Sequence, residues 1–187
     1  ICACLVGSEM CIRDRYNPIE HIKSRIKTSE SIVKKLRRHG YESTIENMVK
    51  YVNDIAGIRV ICSFTSDIYR IAEMIRLQND IHVIAVKDYI RLPKASGYKS
   101  YHMLVTVPVF LSDRTVDVKV EIQIRTVAMD FWASLEHKIN YKFEGNAPEH
   151  VKRELIECAG MVSALDNRMQ ELNEEIKALS KEDTDGA

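Results

Sequence analysis

The sequence predicts an α+β protein in which a β-sheet is flanked by helices and the chain ends in a long helix. Segments that alternate every second residue are interleaved with amphipathic helical segments. Residues 55–62 form a nearly continuous apolar run, which is typical of a strand buried inside a sheet. An apolar heptad runs over residues 155–179, and a repeat of that period predicts a long helix.

The first elements are short and well marked. Residues 21–27 alternate between basic and other side chains, which predicts a strand with one basic face. Thr28 or Ser29 can cap a following helix through its hydroxyl, and Gly40 is suited to end that helix. A second, short helix is predicted over residues 43–51.

The central strand carries a single charged side chain, that of Arg59. An unpaired charge in an apolar strand is costly, so this residue stands out from its neighbours. An amphipathic helix over residues 66–78 and a strand over residues 81–86 follow it. Two further strands, over residues 102–107 and 115–124, are predicted to form a hairpin.

Two helices complete the predicted fold. Thr126 can cap the first, which we expect to bury three large side chains: Phe131, Trp132 and Leu135. Pro148 stands near the start of the last helix, the one that carries the heptad. Two interpretations of that heptad remain open, a helix–helix seam suited to oligomerisation or a helix folded back on its own domain.

Charge and hydropathy exclude several classes of protein. The chain has 27 basic and 27 acidic residues, so nothing indicates bulk attraction to DNA, to RNA or to a membrane surface. No apolar run approaches the roughly 18–20 residues that a membrane span requires. We therefore expect a soluble, cytoplasmic protein.

The segment from Lys87 to His102 combines positive charge with aromatic rings. Pro93 and Gly97 are incompatible with a regular helix or strand there, so the segment is predicted to be a loop. Its composition suits a ligand that has both phosphates and a flat ring, as a nucleotide has. The side chains concerned are Lys87, Tyr89, Arg91, Lys94, Tyr98, Lys99 and Tyr101.

The strand over residues 118–125 places Lys119, Glu121, Gln123 and Arg125 on one face. A solvent-facing strand would show the same alternation, so the pattern alone does not identify a site. Asp54, however, lies beside the other central strand. Two carboxylates on neighbouring strands can hold a Mg²⁺ ion through their oxygen atoms.

Five segments follow one another along the chain: Arg25-Ile-Lys27 with Ser31 and Lys35, Asp54-Ile-Ala-Gly-Ile-Arg59, Lys94-Ala-Ser-Gly97-Tyr98-Lys99-Ser100-Tyr101-His102, Glu121-Ile-Gln123-Ile-Arg125-Thr126, and Phe131-Trp132-Ala-Ser-Leu-Glu136-His137. Together they resemble the synthetase domain of the RelA/SpoT family in its small single-domain form, the small alarmone synthetases. The resemblance covers about residues 17–175. It implies a nucleotidyltransferase-like fold, a mixed β-sheet flanked by helices.

The sequence also suggests a division of the chain. Residues 4–15 resemble translated sequencing-adaptor read-through, so we predict a non-native leader over residues 1–15. Residues 16–145 would be the alarmone synthetase catalytic domain, and residues 146–187 a C-terminal helix for oligomerisation.

The implied activity is transfer of the β,γ-pyrophosphoryl group of ATP to the ribose 3′-hydroxyl of GTP or GDP. The products are AMP and (p)ppGpp, the nucleotides of the stringent response. A Mg²⁺ cofactor and a homotetramer are implied as well. Two alternatives remain open: a toxic relative that makes adenosine alarmones or pyrophosphorylates tRNA, and a nucleotide- or RNA-binding module without turnover.

On the donor side, the resemblance implies that Arg25 and Arg59 sandwich the adenine ring of ATP. The ATP phosphates would lie near Lys27, Ser31 and Lys35.

The resemblance assigns the catalytic centre to two acids. Asp54 and Glu121 would bind Mg²⁺, and Glu121 would also be the base for the 3′-hydroxyl.

On the acceptor side, Tyr98 would stack on guanine, while Lys94 and His102 would hold the phosphates of GTP or GDP. The guanosine would be supported by Gln123, Arg125 and Glu136. Lys99 departs from the family pattern, because many members have arginine there. An ammonium group cannot make the bidentate contact of a guanidinium, which puts a phosphate role for this position in doubt.

Overall fold

The computed structural model describes the backbone of residues 17–185 and the side chains of residues 17–179. The predicted leader, residues 1–15, lies outside the described residues. Five strands form one mixed sheet in the order β1-β2-β5-β4-β3. They are β1 (Ile19–Ile26), β2 (Ala56–Cys62), β3 (His82–Asp88), β4 (Tyr101–Phe110) and β5 (Thr115–Thr126). Only β2 and β5 pair in parallel; the other neighbours are antiparallel.

Five helices accompany the sheet in the described part of the chain. They are α1 (Ser29–Arg38), α2 (Ile45–Tyr51), α3 (Thr65–Arg76), α4 (Val127–Lys142) and α5 (Glu149–Asp185). The predicted fold class, a mixed sheet flanked by helices with a long C-terminal helix, is confirmed. None of these helices combines the length and the apolar character that crossing a bilayer demands.

Local sequence explains where the helices begin. The hydroxyl oxygens of Thr28, Thr44 and Thr126 each accept a hydrogen bond from a backbone N–H in the first turn of α1, α2 and α4. These bonds satisfy donors that have no partner within the helix. Gly40 follows α1 with a φ of 77°, a conformation that glycine adopts without strain.

One face of the sheet packs on α3 and forms the main core. Val60 and Ile122 on the central strands, with Met103 on β4, are fully buried against Ile68 and Ile71 of α3. Side chains alternate along each strand, so the opposite face carries Arg59, Glu121 and their neighbours. The core therefore fixes the orientation of a second, polar face.

Helix α4 does not bury the three side chains that the sequence predicted. Trp132 is buried, and its indole N–H donates a hydrogen bond to the Leu155 carbonyl oxygen. Phe131 is 68% exposed and Leu135 is 38% exposed, so the prediction was wrong for both. The buried residues of α4 are spaced at 129, 132 and 133, and a period of 3.6 turns residues 131 and 135 away from them.

Helix α5 packs on the domain with a face that only partly coincides with its heptad. Leu155 and Ala159 are buried, whereas the later heptad residues Leu165, Met169 and Ile176 are 47–62% exposed. The fold-back interpretation therefore holds for one side of the helix. The heptad seam, with its role in oligomerisation, stays a prediction.

Candidate active site

The strand register brings the predicted site residues together on the polar face of the sheet. Gly57 of β2 pairs with Arg25 of β1 on one side and with Glu121 of β5 on the other. In the next row, Arg59 of β2 pairs with Gln123 of β5, which in turn pairs with His102 of β4. Residues separated by up to about a hundred positions in sequence thus become neighbours.

Two lysines surround Asp54 on the donor side. Lys27 Nζ lies 2.6 Å from one carboxylate oxygen of Asp54, and Lys35 Nζ lies 2.8 Å from the other. Burial raises the pKa of Asp54, but the hydrogen bonds and charges of the two lysines outweigh it and hold the pKa below its ordinary value. Lys27 and Lys35 also line a basic cavity, together with Ser31. The backbone N–H of Ser31 donates a hydrogen bond to the Thr28 hydroxyl oxygen. The cavity has the charge and size for a phosphate group.

Arg25 and Arg59 line a second cavity of about 240 Å³, together with Glu121. Arg59 Nη1 lies 3.2 Å from Asp130 Oδ1, while its buried Nε has no hydrogen-bond partner. Burial and the charge of Arg125 lower the pKa of Arg59, and Asp130 opposes them. The charge of Arg59, which the sequence left unexplained, is thus paired with Asp130, and the side chain also borders the cavity.

A larger cavity, of about 500 Å³, lies within the size range of ligand sites in proteins. All the residues predicted for the acceptor line it, and we call it the acceptor side for that prediction: Lys94, Tyr98, His102, Gln123, Arg125 and Glu136. Arg25 and Arg59 line it as well, so the two arginines stand between the donor and acceptor cavities.

Hydrogen bonds run in one direction across this cavity, from Arg125 to Glu121. Arg125 Nη2 donates to the Tyr98 oxygen at 2.6 Å, and the phenol oxygen lies 2.8 Å from His102 Nε2. The Glu121 carboxylate only accepts, so His102 donates to Glu121 Oε1 from Nδ1 at 3.3 Å. With its proton on Nδ1, the neutral imidazole accepts the phenol proton at Nε2, while the guanidinium donates to the phenol oxygen.

A second path joins the same two ends. Arg125 Nη2 donates to Gln123 Oε1 at 2.9 Å, and Gln123 Nε2 donates to Glu121 Oε2 at 3.0 Å. Both oxygens of Glu121 therefore accept hydrogen bonds. The bond from His102 lowers the pKa of Glu121 against the effect of burial, and Gln123 adds to it. The negative charge of Asp54 raises the pKa of Glu121, so the two carboxylates interact electrostatically.

Tyr98 is already surrounded in this conformation. Its side chain is 8% exposed, with Lys94 Nζ 4.6 Å and the Arg125 guanidinium 5.1 Å from the ring centroid. Lys94 is exposed and lies 4.9 Å from the Tyr89 ring as well. A base that stacks on Tyr98 would therefore take the place of the exposed Lys94 ammonium group, since the buried Arg125 is held by several hydrogen bonds.

Asp130 is a site residue that the sequence did not identify. Its Oδ1 atom lies 3.0 Å from Arg125 Nη1 and 3.2 Å from Arg59 Nη1, so one carboxylate oxygen joins the two arginines. An acid in the first turn of a helix is ordinary, because it complements the helix dipole. The available signal was the pair of arginines on adjacent central strands, which needed a counter-charge.

Lys99 does not face the acceptor cavity. Its Nζ atom donates a hydrogen bond to Ser163 Oγ of α5 at 2.5 Å. This contact supports the doubt about a phosphate role at this position.

Comparison with known proteins gives the family. A family profile described as a region found in RelA / SpoT proteins matches residues 24–146. The chain belongs to the RelA/SpoT family. GTP pyrophosphokinase YwaC of Bacillus subtilis (strain 168) is 47% identical over 172 residues, which are 92% of this chain and 82% of that protein.

Two solved structures from this family show the same architecture. Small alarmone synthetase 1 from Bacillus subtilis, bound to its product pppGpp, superposes with a TM-score of 0.87 at 39% identity. That alignment covers 94% of this chain and 90% of the other. Small alarmone synthetase 2 from Bacillus subtilis superposes with a TM-score of 0.84 at 45% identity, over 93% and 91% of the two chains.

The donor atoms of this RelA/SpoT site fit a divalent metal ion only in company with a nucleotide. Among the described residues no three histidine, cysteine or acidic side chains are grouped so that they could enclose a metal. Asp54 and Glu121 supply hard oxygen atoms, which suit an ion that takes one or two carboxylates and completes its coordination with phosphates and water. Transfer of pyrophosphoryl groups in this family generally needs such a metal.

Proposed function

We propose that this chain is a GTP pyrophosphokinase, which transfers the β,γ-pyrophosphoryl group of ATP to the ribose 3′-hydroxyl of GTP or GDP. It thereby makes (p)ppGpp and AMP, as in the stringent response. Arg25 and Arg59 hold the adenine of ATP, and Lys27, Ser31 and Lys35 receive its phosphates. Tyr98 receives the guanine of the acceptor, with Lys94 and His102 on its phosphates and Gln123, Arg125 and Glu136 around the guanosine.

One observation carries this proposal: Glu121, whose pKa is lowered by hydrogen bonds, borders residues predicted for the donor and contacts His102, a residue predicted for the acceptor. Glu121 lines the cavity of Arg25 and Arg59, and it also lines a cavity with Lys94 and His102. Both of its oxygens accept hydrogen bonds, which keep the side chain in the ionised form that a general base requires. A general base must lie within hydrogen-bond reach of the proton that it removes, and this position allows that.

The reaction balances with the groups present. The 3′-hydroxyl gives its proton to Glu121 as its oxygen forms a bond to the β-phosphorus of ATP. The bond between that phosphorus and the α,β-bridging oxygen breaks, and AMP leaves with the electron pair. Lys27 and Lys35 turn from Asp54 to the phosphates, where positioning and charge neutralisation supply most of the rate enhancement.

Mg²⁺ is the metal that we assign to Asp54 and Glu121. When bound there, it neutralises charge on the phosphate oxygens of ATP. A magnesium ion bound mainly by substrate suits a site that has two carboxylates, both occupied by other partners when no nucleotide is present.

The test is product analysis with radiolabelled ATP and one acceptor at a time: GTP, GDP, AMP or tRNA. We expect AMP release and a pyrophosphorylated guanosine nucleotide with GTP or GDP, in the presence of Mg²⁺. Product only with AMP or tRNA would instead identify an enzyme of different acceptor specificity. Binding without product from any acceptor would identify a nucleotide- or RNA-binding module.

We also propose a homotetramer assembled through α5, in the cytoplasm where ATP and GTP are found. An apolar stripe on α5 is exposed to water in a single chain. It consists of the heptad side chains Leu165, Met169, Leu172 and Ile176. Light scattering after size exclusion tests this. Leu172→Glu should convert the tetramer to smaller species, and a wild-type monomer would contradict the assembly.

A further inference from the structure

The side of α5 that faces the domain contacts the acceptor-binding segment directly. A Cβ built on Gly97 would lie 2.5 Å from the Ala159 Cβ, closer than two such carbon atoms approach in proteins. Tyr98 packs in one buried cluster with Leu155 and Ala159. The backbone next to the guanine-stacking residue therefore lies against the surface of α5.

Two polar contacts continue along the same side of the helix. Lys99 Nζ donates to Ser163 Oγ, and Asp166 Oδ2 accepts a hydrogen bond from the Thr126 hydroxyl at 2.8 Å. Residues 159, 163 and 166 are spaced by four and three positions, so they form one face of the helix. That face contacts the acceptor loop at one end and the junction of β5 and α4 at the other.

The hydrogen bond to Asp166 orients the Thr126 hydroxyl group. A hydroxyl has one proton, so when Thr126 donates to Asp166 its oxygen is free to accept from the Met129 N–H, at 3.1 Å. Thr126 and Asp166 are 1% and 8% exposed. Burial raises the pKa of Asp166, and the Thr126 hydrogen bond and the Lys99 charge act against it.

We propose that α5 sets the geometry of acceptor binding through two positioning residues, Asp166, which holds Thr126, and Ser163, which holds Lys99. Thr126 and Lys99 each follow an acceptor residue in the sequence, Arg125 and Tyr98 respectively. A displacement of about 1 Å at a binding site can cost on the order of 100-fold in rate. The identity of the acceptor as GTP rests on the proposed function.

The proposal predicts different effects on the binding of GTP and of ATP. The ion pairs of the donor side join Lys27 just after β1, Lys35 in α1 and Asp54 in the segment before β2. A change at Asp166 should therefore alter the binding of GTP more than that of ATP, which it can reach only indirectly, through Asp130 and Arg59. A purely structural role would lower the stability of the protein and affect both nucleotides alike.

Four variants test this by calorimetric binding of GTP and of a non-hydrolysable ATP analogue, by the two KM values, and by thermal unfolding. Asp166→Ala should weaken GTP binding and raise the KM for GTP by about tenfold, because it leaves a buried hydroxyl without an acceptor. Asp166→Asn should retain most of the affinity, since the amide oxygen can accept the Thr126 hydrogen bond. Ser163→Ala should act in the same direction with a smaller effect. Glu171→Ala removes an exposed acid of the same helix and should change nothing.

Equal losses for ATP and GTP would overturn the proposal, as would a lower unfolding temperature with unchanged GTP constants. If Asp166→Ala does not fold, Ser163→Ala and Asp166→Asn decide. A wild-type protein that binds GTP but releases no AMP would refute the proposed function, and the calorimetric constants would still judge the positioning role. A wild-type protein that does not bind GTP would overturn both.

Discussion

The donor and acceptor sides of the site are built in different ways. On the donor side, Lys27, Lys35 and Asp54 form two ion pairs with side chains that are 18–34% exposed. On the acceptor side, the Arg125 side chain is 5% exposed and donates to Tyr98, Gln123, Ser100 and Asp130. The donor side depends on charge, and the acceptor side on packing and directed hydrogen bonds.

This difference in construction indicates which side rearranges when its nucleotide binds. Ion pairs between partly exposed groups contribute little free energy, so the two lysines can leave Asp54 for ATP phosphates at small cost. Arg125 cannot leave its partners without leaving charges buried and unpaired. We therefore expect the donor side to rearrange when ATP binds, and the acceptor side to be formed in advance.

The largest effect is expected at Glu121, where the two sides meet. Glu121→Gln keeps the shape of the side chain but cannot take the proton, so AMP release should fall by about 1000-fold or more. ATP and GTP binding should stay within several-fold, measured by calorimetry. Glu149→Gln, which alters an acid that is 82% exposed, is the control. Unchanged turnover would remove Glu121 from the mechanism.

The next largest effect concerns stability, and one matched variant on each side tests whether the two sides differ in it. Arg125→Met should lower the free energy of unfolding by about 3 kcal/mol, because it removes one member of a buried charge network. Lys35→Met should change it by less than about 1 kcal/mol, since its ion pair is partly exposed, but should weaken ATP binding. Urea unfolding and calorimetry measure both. Similar stability losses would mean that the two sides are built alike.

A smaller effect is expected at the contact between the acceptor loop and α5. Gly97→Ala meets the Ala159 Cβ and a φ of 88°, so we expect a loss of about 2 kcal/mol in the free energy of unfolding, with weaker GTP binding. Gly145→Ala is the control, because it has a φ of 85° and nothing within 4 Å of the added carbon. Ala159→Gly in the Gly97→Ala background removes the clashing carbon, so it should relieve the part of the loss that exceeds that of Gly145→Ala. A loss equal to that of the control would mean that strain alone acts at residue 97.

The smallest effect is a pH dependence of opposite sign on the two sides. Burial raises the pKa of Asp54, but Lys27 and Lys35 outweigh it and hold the pKa below 3.8, so its stabilising contribution is lost as the pH falls through the lowered pKa. Burial raises the pKa of Asp166 above 3.8, and Thr126 and Lys99 only partly offset it. The stability that protonation of Asp166 contributes is therefore lost as the pH rises through the raised pKa.

Urea unfolding of Asp54→Asn, Asp166→Asn and the wild type measures this, without metal or nucleotide, between about pH 3 and 6. The advantage of the wild type over Asp54→Asn should shrink toward acid pH. Relative to Asp166→Asn, the wild type should instead lose stability as the pH rises. Curves of the same sign would contradict the distinction between the two acids.

Most strands and helices could be predicted because their signals are local. The alternation along β5 and the threonine caps of α1 and α4 depend on neighbours within a few residues. The burial of Phe131 and Leu135 was predicted wrongly for a different reason. An apolar side chain does not indicate which face of a helix meets the rest of the protein. Asp130 was missed because its role depends on contacts between separate elements, since it joins two arginines from different strands.

The fold class, the family and the residues that carry charge and rings could be predicted, because they follow from residue type and spacing. The burial of Arg125 and its contact with Tyr98, and the contact of Lys99 with α5, emerge only from the folded structure. The physical reason is that hydrogen-bond direction and burial depend on pairs of groups far apart in the chain. Such pairs exist only once the sheet register has brought them together.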